Sequence, residues 1–207
     1  MTGEHELDPT AVLSANVQKL LGDGKSREAA DLLLARFSPE LRPFLHRLLG
    51  DGALADEAHS ATCERIWRGL ASFRFECSLR SWSYIIARRE ASRCRARHAR
   101  ARVQETTLSA ADQLPHAPTT ATISTAGRDQ LEHLRTTLSD EDRDLLVLRV
   151  ERGLSWKEIA ASFLEEDQVD AELVAREAAR LRQRFRSIRV TVSSAIAERR
   201  AKSRDEG

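Results

Sequence analysis

Leu41, Phe44, Leu45, Leu48 and Leu49 recur at i, i+3, i+4, i+7 and i+8 before Gly50-Asp51-Gly52 ends the run, which aligns large apolar side chains along one side of an α-helix. A chain that repeats such stripes must bury them against other helices. Residues 11–21 repeat the pattern with Val12, Leu13, Val17, Leu20 and Leu21, and Gly22-Asp23-Gly24 stops them. A second stretch runs from Ser26 through Phe37, after which Ser38-Pro39 predicts a restart, with Ser as N-cap and Pro in the first turn. The helix expected over about 54–71 carries Cys63, Ile66, Trp67 and Leu70 on an inner stripe and Glu57, Ser60, Ala61, Glu64 and Arg68 on another. With 5% aromatic residues and 9 glycines in 207 residues, composition favours helices over strands. The expected fold class is all-α.

The pattern also divides the chain. Residues 103–127 are rich in Thr, Ser, Ala and Pro with little periodicity, and such a segment cannot bury enough apolar surface to offset its ordering entropy. It predicts a flexible linker. Two small helical domains are therefore expected: an N-terminal extension with a short helix over 1–25, a first domain over 26–102, a second over 128–190, and a tail over 191–207. In the second domain Leu131, Leu134 and Leu138 form a stripe, and Ser139-Asp140-Glu141-Asp142 opens a helix over 141–152 that Gly153 ends. Ser155-Trp156-Lys157-Glu158 is a capping box opening a helix with Ile159, Ala160 and Phe163. Asp170 can cap the last helix, whose expected inward residues are Leu173, Val174, Leu181 and Phe185.

Net charge is only +1, but its distribution is uneven. Arg88, Arg89, Arg93, Arg95, Arg97, Arg100 and Arg102 crowd one segment in which Glu90 is the one acid, and Arg176, Arg180, Arg182, Arg184, Arg186 and Arg189 crowd another. The second domain reads as helix, Gly turn, helix, turn, basic helix, the order of a helix-turn-helix that sets its last helix in the major groove. In the first domain Phe73, Phe75, Trp82 and Tyr84 alternate with Arg74, Arg80, Arg88 and Arg89. Such a mixture suits melted DNA, on which rings stack on bases while arginines follow the backbone. The blander reading makes Phe73 or Trp82 a core aromatic.

The segment from Phe73 to Arg88, F-R-F-E-C-S-L-R-S-W-S-Y-I-I-A-R, resembles the family segment F-R-G-E-A-S-F-R-T-W-L-Y-R-I-A-R of extracytoplasmic-function sigma factors. Leu145-Leu146-Val147-Leu148-Arg149, then Gly153-Leu154-Ser155-Trp156-Lys157-Glu158-Ile159-Ala160, is similar to that family's L-L-x-L-R and G-L-S-Y-x-E-I-A. With Leu41 to Gly52 and Trp67, the resemblance spans about Ser26 to Arg189. It implies a first domain that binds core RNA polymerase and melts the minus-ten element (sigma region 2), and a second that reads the minus-thirty-five duplex (sigma region 4). Carried onto this chain, Asp56, Glu57, Ser60, Glu64 and Arg68 face the polymerase. Arg74, Ser78, Arg80, Trp82, Arg88 and Arg89 serve the minus-ten element, and Lys157, Arg176 and Arg180 the minus-thirty-five element.

The chain departs from the family in places. Glu57-Ala58-His59-Ser60-Ala61-Thr62-Cys63 replaces D-L-x-Q-E-x-F, Arg89 replaces a common Asn, and an acidic insertion, Glu165, Glu166, Asp167 and Gln168, lengthens the turn before the last helix. Glu172 and Glu177 also stand early in that helix, where phosphate contacts prefer positive charge. The function implied is an alternative sigma factor directing promoter-specific initiation. The competing reading is a sigma-like interaction protein or DNA-binding regulator without initiation activity.

The implied partners are core RNA polymerase and promoter DNA, with room for an anti-sigma factor and no membrane. No apolar run approaches the roughly 20 residues a bilayer crossing needs, and the acidic residues 1–9 do not resemble a signal peptide. Cytoplasmic residence is expected, and three cysteines at wide spacing fit a reducing compartment. No catalytic residue, metal or cofactor is assigned: there is no phosphate-cradling Gly loop, no C-x-x-C pair and no Ser, His and Asp grouping, and an enzyme is not expected.

Overall fold

The computed structural model describes residues 9–108, 138–164 and 170–205, with side chains for 10–102, 138–164 and 170–194. The chain divides into two compact units, Met1–Ala117 and Pro118–Gly207. Every regular element among the described residues is helical, and none of those helices is long and apolar enough to cross a membrane.

In the first unit, α1 (Pro9–Gly22), α2 (Ser26–Leu49), α3 (Gly52–Gly69) and α4 (Leu79–Leu108) pack together, with a 3₁₀ turn, Leu70–Ser72, after α3. Leu33, Phe37, Leu41, Phe44, Leu45 and Leu48 of α2 are all essentially inaccessible to solvent. They meet Leu13 and Val17 of α1, Leu54, Ala58 and Ile66 of α3, and Leu79, Tyr84, Ile85 and Ala91 of α4 in one core. The α2–α3 corner is built as its sequence dictates. Gly50 ends α2 in the left-handed region at φ 73° with its N–H donating to the His46 carbonyl, and Asp51 caps α3 by accepting from the Leu54 N–H at 2.9 Å.

Three expectations need correction here. Helix α2 does not restart at Ser38-Pro39 but runs unbroken through Pro39 and Pro43. Neither proline can donate to the carbonyl four residues back, yet both are exposed, so water can satisfy those carbonyls. The local cost, about 3 kcal/mol for a proline in a helix interior, is outweighed by a buried stripe that continues across both positions. In α3 the inner stripe is Leu54, Ala55, Ala58, Thr62, Ile66 and then Leu70, whereas Cys63 is half-buried and Trp67 is 50% exposed. The reason is that α3 packs between α2 and α4, which rotates its buried face from the one its largest residues suggested. In α1, Leu13 and Val17 are buried but Val12 faces solvent.

The second unit contains α5 (Asp140–Leu146), continued by a π turn over Val147–Glu151, then α6 (Trp156–Phe163) and α7 (Ala171–Asp205). Its caps follow the sequence. Ser139 accepts from the Asp142 N–H, Ser155 and Glu158 form the reciprocal capping box, and Asp170 accepts from the Leu173 N–H at 2.8 Å. Leu145, Leu148, Leu154, Ile159, Val174, Leu181 and Ile188 form the core, with Leu173 and Phe185 half-buried at its edge.

The helix expected to reach residue 152 instead widens after Leu146. The Arg152 N–H reaches the Val147 carbonyl at 3.1 Å, and Gly153 at φ 66° turns the chain toward α6. Two boundaries also move: α4 extends through Leu108 into the segment read as linker, and α7 extends to Asp205 through most of the segment read as tail. Leu131, Leu134 and the acidic insertion at 165–168 lie outside the described residues.

Candidate nucleic-acid interface

Between α3 and α4 the chain has no regular structure over residues 73–78, and three rings fill that corner. Phe73 lies 4.8 Å from Phe75 and 4.8 Å from Trp82, centroid to centroid, with planes inclined at 54° and 35°. All three rings are half-exposed. Trp82 lies against α3 at Gly69, where a Cβ would stand 3.4 Å from the indole, at contact distance. Phe75 has φ 57°, in the left-handed region that a side chain of its bulk adopts at a cost of about 1–2 kcal/mol. Ser78 ends the loop by capping α4, accepting from the Ser81 N–H at 3.0 Å.

The arginines around this corner are not equivalent. Arg74 is exposed. Arg80 is partly covered, with its guanidinium 4.9 Å above the Tyr84 ring and its Nε 3.4 Å from Glu40 Oε2. Glu40 collects three donors, Arg36 at 2.5 Å, Arg80, and the Tyr84 hydroxyl at 3.2 Å. Burial alone would raise its pKa, but these partners prevail and hold the carboxyl below the usual range. A sequence scan had no signal for Glu40, because its role depends on α2 and α4 lying side by side. Arg88, assigned to the minus-ten group, is 7% exposed, and Arg89 is half-buried. The same stretch holds Glu90, buried and within 3.6 Å of Arg65 and 2.5 Å of Arg93. The arginine run is thus partly structural, and its exposed basic face begins further on, at Arg97, Arg100 and Arg102.

The five residues assigned to polymerase binding, Asp56, Glu57, Ser60, Glu64 and Arg68, are all exposed on α3. Their charges are engaged within the unit. Arg42 holds Asp56 at 2.9 and 3.2 Å, Arg97 holds Glu57 at 2.7 Å, and Arg68 pairs with Glu64 at 2.6 Å. The Arg42 hydrogen bonds, helped by its charge, keep the Asp56 carboxyl below its ordinary range. The exposed face of Trp67 adjoins this polar stripe.

On the second unit Lys157, Arg176 and Arg180 are exposed, the first on α6 and the others on α7. Arg176 is 3.9 Å from Glu172, and Arg180 forms a two-pronged pair with Glu177 at 2.6 and 2.8 Å. The turn that orients α6 is tied by Arg149, which donates to the Leu154 carbonyl at 2.8 Å and lies 5.0 Å over the Trp156 ring. Trp156 in turn meets Phe185 of α7 edge-on at 5.4 Å. Arg184, one of the arginines crowded on this helix, joins α7 to the start of α5 through Asp142, Glu141 and Ser139.

Asp142 gives this unit an acid sensitivity. Burial pushes its carboxyl up, but Arg184 and Ser139 donate to it and the net pKa falls below the usual value. A depressed carboxyl pKa contributes stability that is present above the unfolded value, about 3.9, and is lost as pH falls through the folded value. Amide exchange at Leu145 and Leu148 is therefore expected to accelerate as pH drops below about 4 once the intrinsic chemical rate is removed. Asp142→Asn should flatten that dependence; an unchanged profile would assign the effect to another carboxylate.

Residues 33–101 match the family model described as Sigma-70 region 2. Among solved structures, the co-crystal structure of the sigma factor RpoE in complex with the anti-sigma factor NepR from Bartonella quintana is similar, with 21% identity, a TM-score of 0.49, and coverage of 75% of this chain and 92% of that one. The comparison with curated sequences gave no significant match. The matched span takes in most of α2, all of α3 with the aromatic corner after it, and α4 through Ala101. Over these elements the chain is similar to Sigma-70 region 2.

Proposed function

We propose that this chain is an alternative sigma factor of the extracytoplasmic-function type, which binds core RNA polymerase and directs promoter-specific initiation. The observation that carries the reading is the half-exposed cluster Phe73, Phe75 and Trp82, interleaved along the chain with Arg74 and Arg80 inside the region 2 match. Unpaired bases stack on exposed rings while cations follow the phosphates. The capping of α4 by Ser78 and the contact of Trp82 with Gly69 hold the rings in place before DNA arrives, which lowers the ordering cost of binding.

The polar stripe of α3 serves as the polymerase face. Exposed ion pairs such as Arg42 with Asp56 contribute little to folding and are screened by salt, so these charges can exchange partners on docking. In the second unit the module of α5, α6 and α7 presents Lys157, Arg176 and Arg180 to the minus-thirty-five duplex. Glu172 and Glu177 compete with DNA for the two arginines, which weakens phosphate contact at that helix.

The second reading, a sigma-like protein that binds polymerase without initiating, draws on the same pairing of Arg176 and Arg180 with acids. Run-off transcription with the purified chain, bacterial core polymerase and a genomic DNA library separates the two. New start sites sharing upstream sequence are expected. Co-purification with polymerase and no transcripts would favour the second reading.

A further inference from the structure

Phe75 is anomalous in three respects. It is the one non-glycine residue with positive φ among those described, it is aromatic, and it is only half-buried. A left-handed backbone is adopted freely by glycine and is resisted by a ring-bearing side chain. The sigma-factor segment this stretch resembles has glycine at that place. A large residue held in an unfavourable conformation must gain something that glycine lacks, and such strain collects at functional positions.

Core packing does not supply the gain. Leu70 and Leu79 close the core beside this loop and are buried, whereas the Phe75 ring stays half-exposed. What Phe75 touches is Phe73, itself half-exposed, at 4.8 Å, so that Trp82, Phe73 and Phe75 form one row of rings along the surface. Arg74 and Glu76 on either side of it are exposed. The ring therefore adds to a cluster of tilted, half-exposed rings at the surface, and an exposed ring can stack on any base, because stacking does not read hydrogen-bond edges.

We propose that Phe75 is an added stacking residue for melted DNA, one that raises the affinity of the first unit for single strands whatever base is offered. The proposal rests on the reading of this corner as the melted-strand site. It separates from a structural role because it assigns opposite signs to stability and binding: glycine at 75 should relieve the backbone while removing the platform.

The test is fluorescence anisotropy of labelled dA, dC and dT oligonucleotides of about 12 nucleotides, a length within the site sizes of single-strand binders. The full-length chain is used, with and without core polymerase, and thermal melting is measured in parallel. Phe75→Gly is expected to bind all three oligonucleotides roughly tenfold more weakly, the scale of one lost base–aromatic stack, with Tm unchanged or raised. Phe75→Leu, which keeps the strained backbone and an apolar contact, should show the same loss, and Phe75→Trp should retain binding.

If Phe75→Gly binds like the wild type while Trp82→Ala does not, Phe75 has no stacking role and the melted-strand reading stands. If Phe75→Gly weakens only the association with core polymerase, the ring faces protein and the proposal is overturned. If the wild type binds no oligonucleotide under either condition, the melted-strand reading falls and this assignment falls with it.

Discussion

Phe44→Ala is expected to destabilise the first unit by about 3–5 kcal/mol, the range for removing a fully buried phenylalanine. Phe44 is inaccessible to solvent and meets Tyr84 edge-on at 4.9 Å. That geometry adds to area burial, because the positive edge of one ring faces the negative face of the other. Against a total stability of about 5–15 kcal/mol for a typical domain, the loss is a large fraction. At roughly 4–8 °C per kcal/mol for a domain of this size, Tm should fall by more than about 12 °C.

Urea denaturation followed by circular dichroism would check the magnitude, with a lower midpoint at unchanged m-value as the expected result. A loss under about 1 kcal/mol would mean that the helices collapse onto the space or that the pair is not central. The consequence reaches the surface. Tyr84 donates to Glu40 and lies under the Arg80 guanidinium, so loosening Tyr84 also loosens Arg80.

Trp82→Ala and Arg80→Ala are expected to reduce open-complex formation at a cognate promoter by about tenfold or more each, while association with core polymerase changes by less than about twofold. The magnitude follows from about 1–3 kcal/mol per base–aromatic stack, at 1.36 kcal/mol per factor of ten. Trp82 is half-exposed and rests on Phe73 and Gly69, so truncation removes a stacking face more than it opens the core. Arg80 contributes a cation whose position is set by Glu40 and Tyr84. Permanganate footprinting of the melted region, alongside polymerase pull-down, reads the two effects separately. Equal loss of both would place these residues in folding or docking and not in melting.

The aromatic corner and its support differ in how directly they can be read. Phe73, Trp82, Arg74 and Arg80 are marked by composition alone, since rings and arginines interleaved in a short loop are uncommon in an inert turn. The devices that hold them come from distant parts of the chain. Glu40 is 40 residues away from Arg80 along the chain, and Gly69, at the end of α3, lies against the indole. The α3 and α7 residues read as candidate contacts lie on exposed faces, but their ion-pair partners Arg42, Arg97 and Glu177 became visible only with the helices in position.

Features with a local cause were legible from the residues themselves. Gly50, Ser139, the Ser155 and Glu158 box, and Asp170 all form the stops and caps their spacing implies, because each is a hydrogen bond closed within a few residues. Helical period, the all-α class and the aromatic–arginine loop follow from the same short-range physics.

Tertiary structure decided the rest. It carried α2 through Pro39 and Pro43, because a continuous buried stripe outweighs two local penalties. It turned Trp67 outward and Arg88 inward, because the buried face of a helix is set by the neighbours on both sides and not by its largest residues. It gave Phe75 a left-handed backbone that nothing in the residue type announces, because the rings it joins come from the loop and from α4, and meet only when the fold has closed.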